Sequence, residues 1–130
     1  MDDKQIVLIA DDDKMLRDLA KDYFEIVFSG KYNLEIFEDG NKLDSRLKKS
    51  LDRVALVFSD NNMGSNSPSG LDILKKYSIP AILATNDLTD EVKSEVEKYG
   101  IVFFSKSYNG KLFEKAVNSA LSNGKREISV

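Results

Sequence analysis

Chemically capable side chains follow four short apolar segments of this chain, each at the point where the segment ends. The segments are IVLIA, VALVFS, AILA and IVFFS, and the side chains that follow them are those of Asp11, Asp12, Asp13, Asp60, Thr85 and Lys106. Short segments rich in β-branched residues are typical of strands buried on both faces of a parallel sheet. The carboxyl ends of such strands share one edge, where ligands bind. Carboxylates, a hydroxyl and one lysine at that edge predict a site for a metal ion and a phosphoryl group.

The carboxylates of Asp11, Asp12 and Asp60 would lie close together if the first and third strands are neighbours in the sheet. At ~4 Å and an effective dielectric constant of ~20, two ionised carboxylates repel each other by roughly 4 kcal/mol. Such a cluster must take up protons, bind a cation or destabilise the fold. The chain has no cysteine and no histidine, and ligands that are all oxygen select a hard ion, Mg²⁺ or Mn²⁺. One acid at a strand end is usually an exposed cap, but three acids from two strands predict a metal site.

Asp60 stands alone at the end of its segment, ahead of residues 61–69, which form a loop by their composition. This position suits a carboxylate that attacks phosphorus and forms an aspartyl phosphate. Because catalysis of such a transfer is mostly positioning and neutralisation of charge, the cation would hold one phosphoryl oxygen and Lys106 a second. The Thr85 hydroxyl and nearby backbone N–H groups would hold the third. Taken alone, Thr85 would be a strand-end cap and Lys106 a solvated side chain, so only their joint placement indicates a role.

Strand and helix signals alternate five times along the chain, which predicts an α/β fold with a doubly wound, five-stranded parallel sheet. Periodicity alone does not give the strand order. A cap at Asp87 or Thr89 is expected for the fourth helix, and Gly100 ends it. The expected strands are 6–10, 34–37, 54–59, 81–84 and 101–104, and the expected helices are 14–27, 43–51, 70–77, 88–99 and 109–123. The last helix is expected to face the core with Leu112, Ala116, Val117, Ala120 and Leu121.

The bulk properties of the sequence narrow the classes of function. The length of 130 residues predicts one domain, with a core at about 4–123 and a short tail at 124–130. The net charge of −3 and the scattered basic residues argue against direct binding to nucleic acid. No apolar stretch approaches the ~20 residues of a membrane span, and no signal peptide is evident, so a cytoplasmic protein is expected. Since the chain has no histidine, any histidine in its chemistry must come from another molecule.

Four motifs in this order resemble those of the receiver domain of bacterial two-component response regulators, over about residues 4–123. They are VLIADDDKMLR, ALVFSDNNM, AILATND and IVFFSKS. The resemblance implies the flavodoxin-like (βα)₅ fold with strand order 2-1-3-4-5. It also implies a stand-alone signalling protein of the chemotaxis-regulator type, which catalyses only its own phosphorylation and dephosphorylation and is not otherwise an enzyme. The implied partners are a histidine kinase or histidine phosphotransfer protein and a downstream effector protein, with no membrane and with the chain itself as a monomer or weak homodimer.

The same resemblance assigns a role to each residue that matches the family's motifs. Asp60 matches the phosphoacceptor, Thr85 the switch hydroxyl and Lys106 the phosphate-binding lysine. Phe103 matches the aromatic side chain that changes rotamer on activation, and the less favoured alternative is a plain core phenylalanine. The implied ligands of Mg²⁺ are the side chains of Asp12 and Asp60, that of Asp11 either directly or through water, and the main-chain carbonyl of Asn62.

Two features depart from the family's pattern. Met63 is followed by Gly64 where proline is usual, and the glycine expected about eight residues after the phosphoacceptor is Gly70, ten residues on. The loop is therefore expected to be two residues longer and more flexible. Ser107 replaces the proline whose peptide bond with the lysine is normally cis, and a cis bond without proline costs ~2.5–4 kcal/mol. That peptide is either trans with a shifted lysine or cis under strain.

Two other functions remain open at the level of the sequence. A pseudo-receiver would use the same fold as a binding module without phosphorylation, which the longer loop would permit. A haloacid-dehalogenase-like phosphatase would use Asp11 as its nucleophile, since Asp11 and Asp13 form an Asp-x-Asp motif. Against the phosphatase, Met15 stands where threonine or valine is expected, and no acidic pair follows a late strand. For a receiver, the polar side chains of Asn62 and Asp87 near the line of water attack predict a short-lived phosphorylated state.

Overall fold

The computed structural model describes residues 4–106 and 109–123 as five strands alternating with five helices. The strands are β1 (Gln5–Ala10), β2 (Tyr32–Phe37), β3 (Val54–Asp60), β4 (Ala81–Ala84) and β5 (Val102–Phe104). The helices are α1 (Lys14–Val27), α2 (Gly40–Lys49), α3 (Gly70–Leu74), α4 (Asp90–Lys98) and α5 (Gly110–Asn123). The predicted alternation is confirmed. Within the described ranges, no helix has the length and apolarity that crossing a membrane requires.

All five strands pair in parallel, in the order β2-β1-β3-β4-β5. The order that the resemblance implied is therefore confirmed. The register places the strand ends side by side, because Ala10 pairs with Ser59, Asp60 with Ala84, and Ala84 with Phe104. The residues that follow β1, β3, β4 and β5 consequently meet at one edge of the sheet.

Short polar side chains begin four of the helices. Each side chain accepts a hydrogen bond from a backbone N–H in the first turn that would otherwise lack a partner within the helix. The capping residues are Asp13 for α1, Asp39 for α2, Ser69 for α3 and Thr89 for α4. Of the two caps considered for α4, the structure selects Thr89. These caps fix where each of the four helices begins at the carboxyl edge of the sheet.

The core consists of two apolar clusters, one on each face of the sheet. Helices α1 and α5 cover one face, where Phe24 and Phe113 lie edge to face with ring centroids 4.8 Å apart. Helices α2, α3 and α4 cover the other face through side chains such as Leu43, Leu47 and Ile73. Because both faces are covered, the central strands are buried along their whole length, as their uninterrupted apolar sequences indicate.

Two helix ends and one core position expected from the sequence were wrong. The third helix was expected to reach residue 77, but α3 ends at Leu74. Leu51 was expected in the second helix, but α2 ends at Lys49 because Ser50 adopts an extended conformation. Leu112 was expected to face the core, but it is 52% exposed, whereas Phe113 is fully buried. Successive helical residues point about 100° apart, so burying Phe113 turns Leu112 towards solvent.

Candidate metal and phosphoryl site

Three carboxylates meet at the carboxyl edge of the sheet. Asp11 and Asp12 follow β1, and Asp60 is the last residue of β3, the strand beside it. One oxygen from each side chain lies within 4.8 Å of the others. Asp11 and Asp60 are buried and Asp12 is exposed. The three acids therefore lie close together as predicted, and the cluster is open to solvent at Asp12.

Lys106 is placed between the two buried carboxylates. Its Nζ lies 2.9 Å from Asp11 Oδ2 and 3.1 Å from Asp60 Oδ1, and all three side chains are less than a tenth exposed. The backbone N–H of Lys106 donates to Asn86 Oδ1 at 3.1 Å, which ties the lysine to the segment after β4. The lysine predicted to contact a phosphoryl group thus already acts as the counter-charge of the acids.

The electrostatics of the site follow from burial and from these pairs. Burial raises the pKa of Asp60, and the negative charge of Asp11 raises it further, against the lowering effect of Lys106 and of the Asn61 backbone. Burial lowers the pKa of Lys106, but its bonds to Asp11 and Asp60 outweigh this and raise the pKa above its ordinary value. The lysine is therefore charged at neutral pH, while Asp60 is a carboxylate whose ionised form is costly without a further cation.

The donor set fits a hard divalent ion. Asp11, Asp12 and Asp60 offer carboxylate oxygens close enough to share one cation. Oxygen ligands of this kind suit Mg²⁺ or Mn²⁺, and the exposed Asp12 leaves a side open to solvent and phosphate. Asn62 lies two residues beyond Asp60, in an exposed position, and its Oδ1 accepts from the Gly64 N–H at 3.3 Å. Its role as a carbonyl ligand stays a prediction.

The turn after β1 is held by residues on both of its sides. Asp13 caps α1 by accepting from the Met15 N–H at 2.9 Å, and its own N–H donates to Asp11 Oδ1 at 2.9 Å. Arg17, one turn into α1, donates from Nη1 to the Asp11 carbonyl oxygen at 2.9 Å. Sequence reasoning missed Arg17, and its only signal was its position in the first motif. These bonds leave Asp11 little freedom to turn away from Asp60.

Thr85 is buried directly after β4. Its N–H donates to the Phe104 carbonyl oxygen at 3.0 Å, and its Oγ1 accepts from the Asp87 N–H at 3.1 Å. The hydroxyl is thus coupled to the segment that leads into α4. Phe103, on β5, is half-buried and lines a cavity of about 230 Å³ between β5 and α5. Neither a switch role nor a purely structural role for Phe103 follows from this position alone.

Gly70 explains how the longer loop after β3 is accommodated. Its N–H donates to the Asn61 carbonyl oxygen at 2.8 Å, and the Leu71 N–H donates to Asn61 Oδ1 at 3.1 Å. A Cβ at position 70 would lie 2.0 Å from the Asp60 carbonyl oxygen, so only glycine fits there. The expected glycine is therefore present against β3, although it comes two residues later in the chain. The Lys106–Ser107 peptide, whose isomer was left open, includes a residue outside the described ranges.

A five-stranded parallel sheet in the order 2-1-3-4-5, with an acidic cluster and a lysine at its carboxyl edge, defines the receiver class of fold. Solved structures agree with this assignment. The Vibrio cholerae chemotaxis protein CheY4 matches with a TM-score of 0.72 at 23% identity, over 91% of this chain and 99% of that chain. A CheY-like receiver domain from Methanospirillum hungatei matches with a TM-score of 0.77 at 19% identity, over 92% and 95%. The BeF3-activated receiver domain of DrrB gives 0.71 at 18%, over 92% and 98%.

At these levels of identity the likeness is one of fold. No family model and no curated protein sequence matches the chain. The chain thus has the fold of CheY-like response regulator receiver domains, and it carries an aspartate cluster compatible with phosphorylation and with binding of Mg²⁺. Its own residues must supply the argument for its chemistry.

Proposed function

We propose that this protein is a phosphorelay receiver that accepts a phosphoryl group on Asp60, with Mg²⁺, from a phosphohistidine of a partner protein. The observation that carries the proposal is the buried arrangement in which Lys106 contacts both Asp11 and Asp60 beside the exposed Asp12. A structural ion pair would need one acid, whereas this site places two acids against a single lysine and a third acid beside them. The surplus negative charge and the open side suit a site that takes up a cation and a phosphoryl group.

Four residues would hold the ion: Asp11, Asp12 and Asp60 through their carboxylates and Asn62 through its carbonyl. When bound, Mg²⁺ neutralises charge on the phosphoryl oxygens, as divalent ions do in phosphoryl transfer generally. Lys106 balances a second phosphoryl oxygen without leaving the site, since its Nζ is already 3.1 Å from Asp60. Burial and Asp11 both raise the pKa of Asp60, so its carboxylate gains a partner for its charge when the ion binds.

In the transfer, a carboxylate oxygen of Asp60 forms a bond to phosphorus while the bond from phosphorus to the donor's imidazole nitrogen breaks. The electron pair of that bond stays on the nitrogen, which then binds a proton. The donor must be a different molecule, because this chain contains no histidine. We infer a histidine kinase or a histidine phosphotransfer protein as the donor, acting in the cytoplasm.

The output of the receiver would begin at Thr85. The phosphorylated Asp60 is a dianion that attracts the Thr85 hydroxyl, and the bond between Thr85 Oγ1 and the Asp87 N–H links any such movement to the segment before α4. The cavity beside Phe103 gives that ring room to change rotamer. Together these changes would bias the surface formed by α4, β5 and α5, which a downstream effector protein recognises. The protein itself is proposed to act as a monomer or weak homodimer and as a signalling protein.

Phosphorylation by a small donor tests the proposal. Incubation with acetyl phosphate and Mg²⁺ should add one phosphoryl group, detected by mass spectrometry of the intact protein. The Asp60→Asn variant should add none, and chelation of the metal should abolish the reaction of the wild type. Labelling of Asp60→Asn at the wild-type rate would refute the assignment of the phosphoacceptor.

The same preparation distinguishes the alternatives. A pseudo-receiver would acquire no phosphoryl group, although it would melt as a folded protein. A phosphatase that uses Asp11 would hydrolyse a generic phosphate ester with turnover, and it would lose this activity in Asp11→Asn but keep it in Asp60→Asn. In the structure both carboxylate oxygens of Asp11 have partners: Oδ1 accepts a hydrogen bond from the Asp13 N–H, and Oδ2 forms an ion pair with Lys106. Asp60 is engaged in the same way, by Lys106 and by the Asn61 backbone, so the two variants and not these contacts distinguish the roles of the two acids.

A further inference from the structure

The loop after Asp60 is fastened to the start of α2. The Gly40 N–H donates to Ser67 Oγ at 2.7 Å, and Asn41 Nδ2 donates to the Asn66 carbonyl oxygen at 3.0 Å. The paired residues are 27 and 25 positions apart in the chain, so these bonds are tertiary contacts that no local turn would form. We name this contact of residues 66–67 with residues 40–41 the α2 clamp.

The α2 clamp depends on a glycine at position 40. A Cβ there would lie 2.5 Å from both the Pro68 carbonyl oxygen and Ser67 Oγ, and 3.0 Å from Ile73 Cδ1. Such distances leave no space for a side chain, and one of the obstructing atoms belongs to the backbone. The loop therefore lies directly on the first residue of α2, which is possible only because that residue is glycine.

A continuous path of bonds leads from the α2 clamp back to the metal site. The Ser67 N–H donates to the Gly64 carbonyl oxygen at 3.3 Å, and the Gly64 N–H donates to Asn62 Oδ1 at 3.3 Å. Met63, between these residues, is only 3% exposed and packs in the core. The position of Asn62 is thus fixed from one side by Asp60 and from the other by the clamped loop.

We propose that the α2 clamp positions Asn62 at the metal site and thereby sets the affinity of the protein for Mg²⁺. The inference rests on the proposed function, in which Asn62 supplies a carbonyl ligand. A loop that is longer than the family's pattern would otherwise have to be ordered when the ion binds. Because the clamp orders it beforehand, Ser67 and Gly40 act as positioning residues although neither offers a ligand to the ion.

Replacement of Ser67 by alanine tests the proposal directly. In Ser67→Ala the dissociation constant for Mg²⁺, measured by calorimetric titration of the metal-free chain, should rise by roughly fivefold or more, the entropic scale for ordering one residue's backbone. Ser67→Thr keeps the hydroxyl and should restore the affinity. Ser65→Ala is the matched control, since Ser65 is exposed in the same loop, and its affinity should equal that of the wild type.

A second pair of variants tests the fit at Gly40. Gly40→Ala and Gly110→Ala both place alanine at the first residue of a helix. Among the described residues only the former meets neighbouring atoms, because a Cβ at Gly110 has none of them within 4 Å. Only Gly40→Ala should weaken Mg²⁺ binding. Asn41→Ala removes the other bond of the clamp from an exposed position, so it remains informative should Ser67→Ala fold poorly.

Two readouts separate positioning from general loss of stability. Hydrogen exchange of the metal-free Ser67→Ala protein should show faster exchange at the Gly40 amide, which loses its acceptor. The rate of phosphorylation by acetyl phosphate should return to the wild-type value at saturating Mg²⁺, because the clamp acts on affinity. Unchanged Mg²⁺ affinity in both Ser67→Ala and Asn41→Ala would overturn the inference alone. A wild-type protein that neither binds Mg²⁺ nor accepts a phosphoryl group would overturn the proposed function together with it.

Discussion

Replacing Lys106 by methionine should destabilise the metal-free protein and at the same time strengthen its response to Mg²⁺. The substitution keeps an apolar stem of similar length and removes only the charge. Without that charge, two buried carboxylates, Asp11 and Asp60, face each other with oxygens no more than 4.8 Å apart. Lys106 pairs with both carboxylates, and under the proposed function the ion would be held by the same carboxylates, so removing the lysine charge should increase the affinity for the ion.

The magnitude follows from the distances in the site. At an effective dielectric constant of ~20, attractions at 2.9 Å and 3.1 Å are each worth roughly 5–6 kcal/mol before the cost of desolvation. The repulsion left between the two acids at 4.8 Å is roughly 3.5 kcal/mol. Breaking a buried pair by removing one partner usually costs about 3–5 kcal/mol in total. We therefore expect Lys106→Met to lower the free energy of unfolding by about 3 kcal/mol without metal, or the melting temperature by on the order of 10 °C.

Thermal unfolding followed by circular dichroism measures this change, since the chain has no tryptophan. Wild type and Lys106→Met are melted in chelator and then in increasing Mg²⁺, where an ion that binds only the folded state raises stability by mass action. The gain in melting temperature should be larger in Lys106→Met than in the wild type. The difference in melting temperature between the two proteins should therefore be smaller at high Mg²⁺. Lys111→Met is the control, because Lys111 is exposed on α5. Equal destabilisation with and without Mg²⁺ would refute the inference that lysine and metal share these carboxylates.

Four further substitutions probe other parts of the molecule. Burial and Asp11 raise the pKa of Asp60, so the stability linked to its protonation is fully present below the unfolded value of 3.8 and is lost as pH rises through the folded pKa. Asp60→Asn should accordingly stabilise the metal-free protein at pH 7, by on the order of 1 kcal/mol in urea unfolding, with no gain below that unfolded value. Burial raises the pKa of Asp44, but bonds from two lysines and a tyrosine outweigh it and lower the pKa from 3.8. Asp44→Asn should therefore cost about 1–2 kcal/mol at neutral pH, and this difference should vanish as pH falls below the folded pKa, which the same unfolding measured against pH would show. Gly70→Ala should lower the free energy of unfolding by about 3 kcal/mol or more, since its Cβ meets the backbone of β3; an unchanged melting temperature would contradict that geometry. Asn62→Leu should lengthen the lifetime of the phosphorylated protein severalfold, because it removes a polar side chain near the line of water attack; loss of the added mass over time measures this lifetime. The prediction is wrong if the wild-type phosphoryl group persists for many hours and is lost no faster than that of the variant.

The acids of the site could be located from the sequence because strand ends obey a simple geometric rule. Asp11 and Asp12 come directly after an apolar strand, and Asp60 ends another. Parallel strands place such residues at one edge regardless of the details of packing. The sequence pattern did not show that β1 and β3 are adjacent in the sheet. The resemblance to receiver domains supplied this through the strand order 2-1-3-4-5, which the structure confirms.

The contacts that hold these acids in place could not be obtained in the same way. Asn86 accepts from the Lys106 backbone across 20 positions, and Ser67 accepts from Gly40 across 27. No periodicity or motif in the sequence marks Asn86 or Ser67 as such an acceptor. Both bonds join segments that are far apart in the chain and come into contact only in the folded protein. The expectation of a more flexible loop after Asp60 rested on its extra length relative to the family's pattern, and length takes no account of such tertiary bonds. The same reasoning explains the misplaced Leu112, since periodicity gives a stripe of a helix but not its rotation to within one residue.

The charges of the site indicate why phosphorylation would act as a switch here. Three carboxylates and one lysine leave the metal-free site with two surplus negative charges, which a divalent ion would balance. Converting the Asp60 carboxylate into a phosphorylated dianion adds one further negative charge, for which no cation remains among these groups. That charge must be met by hydrogen-bond donors, and the buried Thr85 hydroxyl follows the neighbouring strand β4, where Ala84 pairs with Asp60. Because Thr85 is bonded to Asp87, meeting the charge would displace the segment that leads into α4. The added negative charge at Asp60 would thus directly cause the change in the protein surface near α4.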